Sequence, residues 1–275
     1  MNLTKEQKFL YSRIVILIAT VGWVGFLIAG LNGFSFWYGG FALCFWIAFG
    51  LLNFHQKSSL WYALQRPALF GLLYAVLVSG AFLVDQLGLR LFLWLYPAYH
   101  GLGFLWVYFV LYPFGGLSVL ELLYFVSNKL GEPLVFVTAP DTLIHRFFDV
   151  LESILFLLMT GIIVLGAIGQ SVDVVLVFVL VLLWMMSALV KLKLHIRHGG
   201  HYLVALFAVA LFSTILHEFP NAIAREWVYL PITSIPALWN APLVSIPFCV
   251  WIGYIWLTLT PLRYWIFLVL NPRVR

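Results

Sequence analysis

Phe148 to Lys193 reads FDVLESILFLLMTGIIVLGAIGQSVDVVLVFVLVLLWMMSALVKLK. Two apolar runs, roughly 148–169 and 172–190, flank a short polar break, and Lys191 and Lys193 close the second. Each run approaches the ~20 residues that cross a ~30 Å hydrocarbon core, so the stretch reads as a pair of membrane-spanning helices. Working outward, similar runs stand at roughly 13–30, 36–53, 68–88, 99–127, 202–218 and 243–260. None alternates as barrel strands do, and backbone groups in lipid must be satisfied internally. The expected fold is therefore all-α, a polytopic membrane bundle of about eight transmembrane helices. Its 275 residues are 64% hydrophobic and 9% charged, too few polar groups to cover a soluble surface. The whole of 1–275 reads as a single integral membrane domain.

Charge orients it. On the eight-span reading Lys5, Lys8, Arg13, Lys57, Arg66, Lys129, Arg146, Lys191, Lys193, Arg197, Arg263, Arg273 and Arg275 share one side, leaving Arg90 and Arg225 on the other. The positive-inside rule makes the crowded side cytoplasmic, with both termini there, in a multi-pass cell membrane protein. The net charge of +5 belongs to short loops, where it sets topology and meets anionic membrane lipid; nucleic acid is not an expected partner. MNLTKEQKFLYSR lacks a small-residue cleavage site, so the first helix is expected to be retained. Cys44 and Cys249 lie in apolar stretches and read as packing residues.

A pattern occurs twice. Asp85 is followed nine positions on by Trp94, then Tyr96 and Pro97; Glu218 is followed nine positions on by Trp227, then Tyr229 and Pro231. Each copy precedes a proline-marked helix, Pro113-Phe-Gly-Gly and Pro247-Phe-Cys-Val. The expected organisation is a 4+4 internal repeat, 13–130 and 139–262, with both copies on one face and a binding site at their interface.

These residues resemble the membrane-embedded lycopene cyclase domain family, whose repeat sets an acid about nine residues before a Trp-rich stretch ending in Tyr and Pro. Glu121-Leu-Leu-Tyr-Phe125 is similar to the second half of that family's paired-glutamate motif. Asn240-Ala-Pro242 through Pro247 and Trp251 is similar to the related carotenoid hydratases. Where the cyclases carry paired carboxylates, this chain has Leu120-Glu121 and Val250-Trp251. The resemblance implies an enzyme of isoprenoid metabolism that cyclises or hydrates a polyene end group by acid-initiated, redox-neutral chemistry, with a lipophilic small-molecule substrate and no cofactor.

Such chemistry needs a carboxylic acid, an apolar cavity and a means of stabilising a carbocation, which aromatic faces supply. Glu121 is the expected proton donor, because an acid inside a span is costly to keep. Asp85 and Glu218 are candidate second acids, and Trp94, Tyr96, Trp227 and Tyr229 would shape the substrate pocket. All three acids can share one site only if Pro113-Phe-Gly-Gly breaks the fourth span and folds it back.

Two further groupings stand out. Thr138-Ala-Pro-Asp141 reads as a helix start of capping-box type, after which Asp141, His145, Asp149 and Glu152 fall on one face, where together with Glu121 they could line a pocket that holds a metal or shuttles protons, or could form an amphipathic interfacial turn. His195, His198 and His201 make a basic loop, since the remaining histidines are split between the two sides and cannot join a di-iron set. A non-enzymatic small transporter or lipid-binding protein on the same duplicated bundle is the alternative, favoured by the missing acid pair in the second copy.

Overall fold

The computed structural model describes residues 5–90, 93–131, 134–138, 140–197, 201–230 and 259–270. In chain order these form α1 (Lys5–Leu31), α2 (Trp37–Leu52), α3 (Ser59–Gln65), α4 (Pro67–Arg90), β1 (Trp94–Leu95), α5 (Gly103–Trp106), a π turn (Val107–Leu111), α6 (Tyr112–Lys129), α7 (Leu143–Ala167), α8 (Val174–His195), α9 (His201–Ala224) and β2 (Val228–Tyr229). A last described helix spans Leu259–Leu270. Among the described residues six helices are long and apolar enough to cross a membrane, so the chain is an all-α, multi-pass membrane bundle. The expected span at 36–53 is α2, with 16 residues. The expected span at 243–260 lies almost wholly outside the described residues.

Packing separates inner helices from outer ones. Trp37, Phe41, Ala42, Phe45 and Trp46 of α2 are buried, and Trp23 of α1 sets its ring edge-on to Phe41 and Phe45. On α1, Leu17, Ile18 and Val21 turn outward; on α7, Phe147, Phe156 and Leu157 do the same. Large apolar side chains on an outer face are what hydrocarbon surroundings require.

The fourth span is not broken. α5, the π turn and α6 run on without interruption from Gly103 to Lys129. Pro113 has no N–H for the carbonyl of Phe109 one turn earlier. The ladder accommodates this by widening: the N–H of Tyr112 reaches back to Val107 O, and the Tyr74 hydroxyl of α4 donates to Phe109 O. A proline inside a span is tolerated when a neighbouring helix supplies the missing donor in this way. At α7, the cap is also not where the sequence pattern places it. Thr142, and not Thr138, accepts from the N–H of His145 at 3.2 Å, so the helix opens one residue later, at Leu143.

β1 and β2 meet as a two-residue antiparallel ladder, with Trp94 opposite Tyr229 and Leu95 opposite Val228. Leu230 N–H extends it to Leu93 O at 2.9 Å. Leu95 and Val228 hold the same place in the two copies of the acid–Trp–Tyr pattern. The register is therefore centred on corresponding residues and is locally two-fold. The wider match of 13–130 with 139–262 passes through residues 231–258, outside the described ones.

A buried acid cluster at the ladder end

The ladder end of α4 carries Asp85, which is 0% exposed. One turn on, Gly88 leaves room for the Trp94 indole to lie against the helix: a Cβ at Gly88 would stand 2.0 Å from the ring. From there Trp94 Nε1 donates to Asp85 Oδ1 at 3.0 Å. The π turn brings Tyr108 and Tyr112 onto the same carboxyl, their hydroxyls donating to Oδ2 and Oδ1, each at 3.0 Å. Behind them, Tyr96 and Tyr112 share a hydroxyl contact of 2.7 Å. Asp85 thus accepts from three aromatic side chains.

Glu218 near the end of α9 repeats the arrangement. Trp227 Nε1 donates to Glu218 Oε2 at 3.3 Å, and the Tyr229 hydroxyl donates to Oε1 at 2.9 Å. Where the first copy has Gly88 the second has Asn221, whose side chain accepts from Trp227 N–H at 3.1 Å and donates to Trp227 O at 2.9 Å. The indole is thereby aimed by hydrogen bonds rather than by contact with bare helix. Burial, and then the charge of Glu218, push the Tyr229 hydroxyl well above its ordinary range, and Tyr112 adds to the effect. For Tyr96 the causes in order are burial, Tyr112 and Asp85. The two acids lie under one ladder and one set of tyrosines.

A third acid joins them. Glu226 is 0% exposed; its Oε2 accepts the N–H of Tyr38 in the first turn of α2 at 3.1 Å, and its Oε1 accepts the Tyr99 hydroxyl. No side chain of α2 itself caps that helix, so Glu226, 188 positions away in the chain, takes the role at the positive end of the helix dipole. Burial pushes its carboxyl up to about 7, opposed by the Tyr99 hydroxyl and the Tyr38 N–H. The edge of Tyr38 faces Trp227 at 5.0 Å, and its hydroxyl lies 3.5 Å from His217 Nδ1.

Glu121 is elsewhere. It sits within α6, nine residues beyond Tyr112 in an unbroken helix, or ~13 Å along the axis, so it does not join Asp85 and Glu218. Its Oε2 accepts from Asn53 at 2.9 Å, and its Oε1 accepts from the Ser59 hydroxyl at 2.6 Å and the Leu60 N–H at 3.2 Å. Asn53 also donates to Glu121 O at 2.7 Å. Those donors belong to the end of α2 and the first turn of α3. Glu121 caps α3 and ties it to α6.

The Asp141–Glu152 face is an ion-pair network. Arg146 grips Asp141 with two bonds, and its guanidinium holds the exposed Asp141 carboxyl below the usual range. His145 lies 3.3 Å from Asp149. Lys191, 5% exposed, bonds Asp149 and also Glu152 at 2.8 Å, and Arg263 bonds Glu152 at 2.7 Å. Lysine and arginine thus occupy the carboxylates that a cation would need. Among the described residues no three His, Cys, Asp or Glu side chains group as a metal site.

No protein-family model, no curated protein and no solved structure matches this chain. The site speaks for itself: the buried carboxyls of Asp85 and Glu226, the half-buried one of Glu218, and a hydroxyl-rich aromatic shell at one end of a membrane bundle. Sequence reading singled out Asp85, Glu218, Trp94, Tyr96, Trp227 and Tyr229, all of which stand here. It passed over Tyr38, Tyr99, Tyr108, Tyr112 and Glu226. Tyr108 and Tyr112 had a signal, two hydroxyls four apart in an apolar run, facing one way.

Proposed function

We propose that this protein is a membrane-embedded enzyme that protonates the end group of a lipophilic polyene and so drives its cyclisation or hydration. One observation carries the reading: Asp85 and Glu218 are held by matching indole and phenol donors under a single ladder, inside an aromatic shell. A proton added to a carbon–carbon double bond leaves a carbocation. Buried carboxyls and aromatic faces are preorganised partners for positive charge in a site of low dielectric. Loss of a proton from a neighbouring carbon completes a cyclisation; addition of water followed by loss of its proton completes a hydration. Neither route needs an electron carrier. Lysine and arginine placement orients the bundle with the ladder end outside the cytoplasm and the termini inside. Substrate would enter from the surrounding lipid.

The test is pigment analysis of a lycopene-producing host carrying this chain, beside Asp85→Asn and Glu218→Gln. New cyclised or hydrated pigment that disappears in both variants, with membrane insertion unchanged, supports the reading. A host whose pigments are unaltered by the wild-type chain overturns it. A second reading, a non-enzymatic lipid-binding or transport protein, draws on the engagement of both Asp85 oxygens by Trp94, Tyr108 and Tyr112, which would equally serve as a latch. That reading expects Asp85→Asn to lower stability and leave pigments alone.

A further inference from the structure

Asp85 and Glu218 are duplicated; Glu226 is not. The residue in its place in the first copy is Leu93, directly before Trp94 as Glu226 is directly before Trp227. Leu93 uses its backbone in the ladder, so the ladder itself has no need of an acid at that position. Glu226 also lies beyond the end of α9, at Ala224, and therefore outside the spans. Arg225 between them adopts φ 53, a left-handed conformation that a non-glycine residue enters at a cost. That turn leaves Arg225 exposed and Glu226 fully buried.

We propose that Glu226 is the proton-loading acid of the cluster: it takes a proton from water at the ladder end and delivers it to the group that reacts. This deepens the polyene reading and rests on it for the identity of the acceptor. Connectivity supports the assignment. Tyr99, which bonds Glu226, sets its ring edge-on to Tyr96 at 6.2 Å; Tyr96 bonds Tyr112, and Tyr112 bonds Asp85. On its other side Glu226 directly precedes Trp227 in the chain, and the Trp227 indole donates to Glu218 at 3.3 Å. The groups facing it are Tyr99, with the Trp106 indole on the Tyr99 hydroxyl, and Tyr38 with His217 behind it; Arg225 is its exposed neighbour.

Glu226 releases its proton to a double-bond carbon and becomes a carboxylate. The carbocation then loses a proton from a neighbouring carbon, or from added water, to Asp85 or Glu218. Water at the ladder end takes that proton and restores the one on Glu226, so each turnover is balanced. A general acid works best when it is half protonated near the working pH, and burial sets this carboxyl at about 7.

Infrared difference spectroscopy of the purified chain in lipid nanodiscs tests this without any substrate. Lowering the pH through about 7 should raise a protonated-carboxyl band that Glu226→Gln abolishes and that Glu226→Asp and Asp85→Asn retain. Glutamine keeps an oxygen for the Tyr38 N–H, so the capping role survives. Tyr99→Phe removes a donor that favours the carboxylate and should move the band's midpoint to higher pH. A neutral-range band that persists in Glu226→Gln, or none in the wild type, overturns the proposal. In the lycopene host Glu226→Gln should cut product by about 100-fold or more. Absence of product from the wild type would overturn the polyene reading alone, while the infrared titration still decides Glu226.

Discussion

The indole of Trp94 lies against the backbone of Gly88, so closely that a methyl group there would come within 2.0 Å of the ring. Gly88→Ala must push Trp94 off α4 and away from Asp85. The expected loss is about 1–3 kcal/mol, as for other overpacked sites, read as a fall in melting temperature in detergent. Gly161→Ala on α7, where a Cβ meets nothing within 4 Å, is the matched control and should be neutral or slightly stabilising. Equal losses at both positions would show that the Trp94 contact is not the cause.

Glu121 supplies the second prediction. In Glu121→Gln an amide N–H₂ replaces one acceptor oxygen and faces either the Asn53 amide or the Ser59 and Leu60 donors. Leaving buried donors unsatisfied costs about 1–3 kcal/mol. Thermal stability should fall, while product per folded molecule holds. Loss of product by orders of magnitude at unchanged stability would return Glu121 to the role of proton donor.

Glu226 makes stability depend on pH. Its folded value, about 7, lies above its ordinary 4.5. Between these values the folded chain binds the extra proton, so stability falls as pH rises from about 4.5 through 7. Above about 7 the contribution is gone. Melting temperature against pH should show this decline, and Glu226→Gln should flatten it.

Lys191 and Arg146 offer a contrast. Lys191→Met takes a buried cation from Glu152, which keeps Arg263, and from Asp149, whose side chain is 46% exposed. The loss should fall below the about 3–5 kcal/mol of a fully buried pair broken from one side and exceed that of an exposed pair. Asp141→Asn removes an exposed pair with Arg146, both side chains being more than two-thirds exposed, and should leave the melting temperature unchanged. A small effect of Lys191→Met would mean that Arg263 alone neutralises the face.

Hydropathy made the spans legible, because lipid demands long apolar runs whatever their partners are. The spacing of Asp85 to Trp94 and of Glu218 to Trp227 was legible too, since each indole bonds an acid on its own chain segment. What escaped was long-range satisfaction. Whether the helix breaks at Pro113 stayed open in the sequence because the donor that keeps it whole, Tyr74, lies 35 positions from Phe109. Glu121 looked catalytic because Asn53 and Ser59 are more than 60 positions away. Whether the carboxylates of 141–152 hold a metal, shuttle protons or form an interfacial turn stayed open in the sequence because Lys191 and Arg263 return to them only in three dimensions. Glu226 was hidden by symmetry: attention to what the two copies share passes over what one of them adds.

The ladder that pairs Leu95 with Val228 has one more implication. A two-strand antiparallel register centred on corresponding positions is the arrangement that two separate half-length chains would adopt across a dimer axis. Nothing in that pairing depends on both strands belonging to one polypeptide. A gene split in the loop between α6 and α7 and expressed as two fragments should therefore reassemble at this seam, and a fragment carrying Trp94 would find its counterpart through the same backbone hydrogen bonds that now close the intact chain.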